Sequence, residues 1–306
     1  MSIVGGPGLG HVDEDRRERF GMRSWLGGLL LVSVALQLVG TFVRYETFGP
    51  FPARSDLPPT PASSFSLYNG LHWGRPAFLL TLAILCGLAC LLTRPRERLY
   101  VVAFASGFRV LNLGTLAFLV LVRTYTSRTV TLGPGFYLNA ASVGIAALFA
   151  VGAARAVRPF VRSSSSVNPL SWTIASGAAL TVGLSILIRD VRVSYAPLML
   201  FGPLSLRSAI AEAFAFVAVA VFPLIAIRMG GRAGSWLLFG LAAGEAIRAL
   251  DAVLRRVGDF RGFPSAQLTI GWWAEILAVV LLVALARQLP SPEPEELQAE
   301  PASAGL

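Results

Sequence analysis

The stretch GSWLLFGLAAGEAIRALDAVLRR, residues 234–256, is apolar enough to cross a bilayer and still carries charges at regular intervals. Glu245, Arg248 and Asp251 fall at i, i+3 and i+6, and Arg255 follows one turn later. At about 100° per residue these four occupy roughly one third of a helix circumference, while Phe239, Ala246, Leu250 and Val253 take the other side. Gly240 and Gly244 form a G-x-x-x-G pair at the edge of the ionic face, where a second helix can approach closely. An ionisable group at bilayer depth costs about 2.5–3.5 kcal/mol on insertion scales, so such groups persist where they are paired, line water or act. The charges are therefore expected to point into a helical bundle.

The rest of the chain fits that setting. Of its 306 residues 55% are hydrophobic and only 14% are charged, and the mean hydropathy is +0.66. These values lie outside the range of ordinary soluble domains and indicate a polytopic membrane protein. All 26 basic residues are arginine, and most stand at the ends of apolar runs. That placement suits a lipid bilayer with anionic lipid headgroups and argues against nucleic acid as a partner. The absence of lysine, with abundant Ala and Gly, is the composition expected of a GC-rich bacterial genome. Cys86 and Cys90 sit at i and i+4 of one apolar run, a spacing that disfavours a structural disulfide and leaves them as core filler.

Eight apolar runs are expected as spans: residues 24–45, 76–93, 100–122, 135–157, 171–190, 207–228, 234–256 and 271–289. The expected organisation is a disordered cytoplasmic tail (1–22), a first four-helix membrane unit (23–158), a linker (159–170), a second four-helix unit (171–289) and a disordered acidic, Pro-rich tail (290–306). The run 132–149, LGPGFYLNAASVGIAALF, resembles the last helix of small four-helix bacterial membrane proteins, a likeness that implies no chemistry. A modest arginine excess on one side, resting on RPRER (94–98) and RAVRPFVR (155–162) as cytoplasmic loops, places both termini in the cytoplasm of a bacterial plasma membrane.

The two units look alike in sequence. Trp25 and Trp172 open their first spans, Arg44 and Arg189 close them, and the triplets Phe48-Gly49-Pro50 and Phe201-Gly202-Pro203 follow. In the third spans Arg109-Val-Leu-Asn112 matches Arg248-Ala-Leu-Asp251, and in the fourth Gly135-Phe-Tyr-Leu-Asn139 matches Gly271-Trp-Trp-Ala-Glu275. The fold class expected is thus an all-α integral membrane protein of eight transmembrane helices, arranged as two tandem four-helix repeats of the same orientation. An even number of spans per repeat gives a pseudo-two-fold along the membrane normal, with any central site between the copies.

The candidate ligand or ion-site residues are Glu245, Arg248, Asp251, Glu275, Arg109 and Glu212. Together with Arg255 they comprise four acids and three arginines, which leaves one acid over and would suit a proton carrier. Fixed ionic ties between helices are the plain alternative. Pro223, inside the sixth span with Glu212, is expected to bend it. Trp272 and Trp273 fit an interfacial belt. No catalytic, metal or cofactor signature is legible. His11 and His72 are the only histidines, so paired-histidine haem ligation, a zinc H-E-x-x-H site and a Ser/His dyad are unsupported. GGPGLG at the N-terminus lacks the strand-to-helix context of a dinucleotide site.

The function expected is a binding or transport-type protein with an outward-facing polar intramembrane site. Two alternatives stand beside it. One is a structural or accessory subunit of a membrane complex, with a membrane protein as partner. The other is an intramembrane lipid-modifying enzyme using carboxylate acid and base chemistry.

Overall fold

The computed structural model describes residues 10–48, 63–66, 74–93, 95–111, 130–157, 168–187, 191–192, 203–258, 267–268 and 270–289. Among these residues there are eight helices: α1 (Gly10–Phe42), α2 (Gly74–Leu92), α3 (Pro95–Val110), α4 (Pro134–Val157), α5 (Pro169–Leu187), α6 (Pro203–Met229), α7 (Gly231–Gly258) and α8 (Ile270–Gln288). Four of them, α3 to α6, open on proline, whose missing N–H falls where a helix has no acceptor for it. Asn168 caps α5 by accepting the backbone N–H of Leu170 at 3.0 Å. Gly230 (φ 63°) and Gly231 (φ 52°) supply the left-handed backbone that turns α6 into α7 within two residues.

Each expected span coincides with a helix, so the fold is helical as the apolar runs imply. The second half of the third span, Asn112 included, lies outside the described residues. Two differences are physical. Helix α1 begins at Gly10, well inside the segment expected to be a disordered tail. There Asp13 and Arg17, and Asp15 and Arg19, stand at i, i+4, a spacing that supports helix in a polar sequence.

Short strands also appear in segments expected to be plain loops. β1 (Arg44–Phe48) lies between β2 (Ser63–Ser66) and β3 (Val130–Leu132), and β4 (Val191–Arg192) pairs with β5 (Gln267–Leu268), all antiparallel. β1 follows α1 and β3 precedes α4, whereas β4 follows α5 and β5 precedes α8. The strands thus tie together the helix ends at which those four helices meet.

Among the described residues two helical segments are long and apolar enough to cross a bilayer, Trp25–Phe42 (hydropathy 1.8) and Ile270–Gln288 (hydropathy 1.9), and two shorter apolar helices span Ala77–Leu92 and Phe216–Met229. Helix α6 continues through Pro223. The broadest helix contact joins α3 to α7. Around it, α1 packs on α4 and α5 on α8, with α4 also against α3 and α8 against α7.

The α3–α7 seam is set by glycine. A Cβ on Gly240 would stand 2.0 Å from the Phe104 carbonyl oxygen, and one on Gly107 would stand 2.2 Å from that of Leu237. Any side chain at either position would push the helices apart. Phe104 then meets the Trp236 ring edge-on, with centroids 6.1 Å apart.

Candidate functional site

Helix α7 presents Glu245, Arg248 and Asp251 inward at intervals of three, and all three are buried; Leu250, on the other side, is 40% exposed. Arg248 Nη1 donates to both oxygens of Glu245 at 3.2 Å each. Its Nη2 lies 3.1 Å from Oε1 of Glu275, which α8 supplies from its second turn. Glu245 and Glu275 are 0% and 1% exposed and Arg248 is 9% exposed. One guanidinium therefore spans two carboxylates from two helices, out of contact with bulk solvent. Direct pairing is what makes buried charge tolerable, because ions taken out of water lose several kcal/mol of hydration.

Trp272 fixes the approach of α8. Its indole Nε1 donates to the carbonyl oxygen of Ala249 at 2.9 Å, next to Arg248 in sequence. Trp272 and Glu275 stand at i, i+3 and share one face of α8. Trp273 points elsewhere, 62% exposed.

Arg109, the other buried arginine, belongs to a different constellation. It is 0% exposed and donates through Nη1 to Ser33 Oγ and through Nη2 to Gln37 Oε1, both on α1. Ser33 in turn forms a reciprocal clasp with α4: its Oγ donates to the Ser142 carbonyl at 2.8 Å, and Ser142 Oγ donates to the Ser33 carbonyl at 2.7 Å. Asn139, one turn earlier on α4, donates through Nδ2 to the Gly135 carbonyl at 3.0 Å. Gly40 of α1 lies directly against it, since a Cβ there would stand 2.5 Å from that nitrogen.

Compared with known proteins, the chain matches no family model, no curated sequence and no solved structure. Its chemistry has to be argued from the site itself.

The six expected site residues thus divide. Glu245, Arg248 and Glu275 come together, and Asp251 is buried one turn further along α7. Arg109 instead finds its partners among α1–α4, so the arginines do not share a single centre between the two sets of helices. Glu212 lies in α6, with its side chain, like that of Arg255, outside the described residues.

Ser33, Gln37 and Ser142, none of them among the expected site residues, complete the hydrogen-bonded cluster around Arg109. Their signal was a serine and a glutamine at i, i+4 in an otherwise apolar run, facing the same way as Arg109 requires. Cys86 and Cys90 are buried free thiols. Among the described residues no three His, Cys, Asp or Glu side chains converge as metal ligands would.

Proposed function

We propose that the chain is an eight-span bacterial inner-membrane protein built from two tandem four-helix units of one orientation, α1–α4 and α5–α8, with both termini in the cytoplasm. The distribution of polarity supports the membrane setting. Large apolar side chains such as Leu92 (86% exposed), Leu180 (71%) and Leu148 (69%) face outward, whereas Arg109, Glu245, Arg248 and Glu275 are enclosed. Water would favour the reverse, and lipid favours this.

Burial and strand register support the duplication. At one constant sequence offset the buried residues described in α5, Ser171, Ala175, Ala178, Val182 and Ser185, fall on the buried Leu26, Leu30, Ser33, Gln37 and Gly40 of α1, which buries Gly27 and Thr41 besides. The offset that aligns Asn139 with Glu275 likewise carries Ser142 to Ala278 and Ala146 to Leu282, all buried. The same two offsets map the pairs Glu46↔Leu132 and Thr47↔Thr131 onto Val191↔Leu268 and Arg192↔Gln267, so the loop strands pair in one register in both units. Low-complexity apolar sequence gives no reason for that coincidence.

The second unit is the binding unit of a transport-type protein, and one comparison carries that proposal. At the positions of Ser106 and Asn139 in the first unit the second has Glu245 and Glu275, and at those of Ser33, Gln37 and Ser142 it has Ala178, Val182 and Ala278. The first unit closes around its arginine with neutral hydrogen bonds, so the fold does not require carboxylates there. Their presence around Arg248 fits a group that exchanges a proton or an anionic ligand, reached from the strand-bearing end, where α8 begins.

The test uses reconstituted proteoliposomes. Uptake of a panel of small organic anions and cations is measured under an imposed proton gradient for the parent protein and for folded Glu245→Gln and Glu275→Gln variants. The proposal expects at least one solute to be accumulated and that accumulation to be lost in both variants. It fails if neutralising both residues leaves binding and uptake unchanged.

Direct 3.1–3.2 Å pairing at 0–9% exposure favours a second role, a structural tie in an accessory subunit. In that case the same variants lower the melting temperature in detergent with no separable functional loss, and the protein co-purifies with one dominant membrane partner.

A further inference from the structure

Arg109 is a fully enclosed guanidinium whose acceptors are both neutral, Ser33 Oγ and Gln37 Oε1, and whose Nε has no acceptor among the described residues. Neutral hydrogen bonds orient a guanidinium without compensating its charge. In the interior, where Coulomb interactions are several-fold stronger than in water, that charge favours an anion beside it. Nε and the adjoining Nη2 form one edge of the guanidinium, the edge on which a carboxylate sits side-on with two parallel hydrogen bonds.

The second unit shows what such an arginine takes. Around Arg248 the chain supplies carboxylates from Glu245 and Glu275, whereas the corresponding positions of the first unit hold Ser106 and Asn139. We infer that the first unit holds a separate anion site, in which the Nε–Nη2 edge of Arg109 binds the carboxylate of a small ligand, a counter-charge like the one that Glu245 and Glu275 give Arg248 through its Nη1 and Nη2.

Three helices frame the site. Helix α3 provides the guanidinium, α1 provides Gln37 and Ser33, and α4 provides Ser142 and Asn139. Ser33 is held on α4 by the clasp with Ser142. Gln37, by contrast, has a side chain with three rotatable bonds, and swinging it aside opens the Nη2 donor it now occupies. The residues are uncharged apart from Arg109, so the site prefers a monoanion with a planar, two-oxygen head.

This inference rests on the tandem-unit part of the proposal above and not on transport through Arg248, so the test separates the two. Thermal unfolding of the full chain in lipid-free detergent is followed with increasing sodium acetate, with sodium chloride at matched ionic strength, and with oleate. A ligand that binds the folded state raises the melting temperature as its concentration passes Kd. Acetate is expected to raise it beyond chloride in the parent protein and at least as far in the Glu245→Gln/Glu275→Gln double variant, which leaves Arg109 intact, with no response in Arg109→Gln. A rise with oleate alone would assign the carboxylate to an acyl-chain source and still support the site.

Asn139→Glu keeps the test decisive if Arg109→Gln does not fold. It installs the second unit's carboxylate beside Arg109, and is expected to raise the melting temperature without ligand and to abolish the acetate response. The inference is overturned if neither acetate nor oleate exceeds chloride in the parent, or if the response survives in Arg109→Gln or Asn139→Glu. If Asn139→Glu instead destabilises the protein, the equivalence of the two units fails with it.

Discussion

Arg248 Nη2 lies 3.1 Å from Glu275 Oε1 while its Nη1 contacts Glu245 at 3.2 Å, so a single buried side chain fastens α8 to α7 at the start of α8. Removing one partner of a buried pair leaves the other uncompensated, at a cost of about 3–5 kcal/mol. Arg248→Ala is expected to lose stability on that scale. Glu275→Gln should lose less, because the amide oxygen still accepts a hydrogen bond. A double-mutant cycle on detergent unfolding checks it, with a coupling near zero counting against the pair.

In the other set of helices, Ser33 both donates to Ser142 and accepts from Arg109. Ser33→Ala removes one half of the clasp, leaving Ser142 Oγ on the residue 33 carbonyl, and strips a buried donor of its acceptor. The expected destabilisation is about 1–3 kcal/mol, measured by the same unfolding experiment. Ala178→Ser, at the matching place in α5, should give no comparable gain, because Arg248 is held by Glu245 and Glu275 instead.

The α3–α7 seam predicts opposite outcomes for two glycines. Gly240→Val would drive a side chain into the Phe104 carbonyl 2.0 Å away and should cost about 1–3 kcal/mol or more through overpacking. A Cβ at Gly144 in α4 meets nothing within 4 Å, so Gly144→Ala should gain about 0.5–1 kcal/mol from helix propensity. Melting temperatures of the two variants should therefore move in opposite directions.

Trp272→Phe retains a ring on α8 and deletes the 2.9 Å hydrogen bond to Ala249. A loss of about 0.5–1.5 kcal/mol is expected. If Trp272 positions Glu275, any solute uptake that depends on Glu275 should fall in the same variant. Trp273→Phe, at an exposed position, should leave both properties unchanged.

Much of this was legible in the sequence, for a definite reason. Charges at i, i+3 and i+6 in residues 234–256 could only share a helix face, and Gly240 and Gly244 could only mark a close approach. What the sequence did not specify was the partner on each side. Apolar runs that are greasy all round carry little rotational information, so nothing in them indicated that α3 would take the glycines or that Arg109 would turn toward α1. The strand pairs escaped because Arg44–Phe48 and Gln267–Leu268 lack the alternation of a half-buried strand. The helical start at Gly10 escaped because a mixed-charge run was read for its polarity and not for its i, i+4 pairs.

The account depends most on two like units lying in one orientation across a membrane, and sidedness measures that directly. In a variant with Cys86 and Cys90 replaced by serine, single cysteines at Thr47, Arg192 and Arg232 are exposed in intact cells to a membrane-impermeant maleimide. Thr47→Cys and Arg192→Cys, in the equivalent strands β1 and β4, should both label from outside, and Arg232→Cys, at the α6–α7 turn, only after permeabilisation. Labelling of Thr47→Cys and Arg192→Cys from opposite sides would contradict the shared orientation and the duplicated eight-span architecture with it.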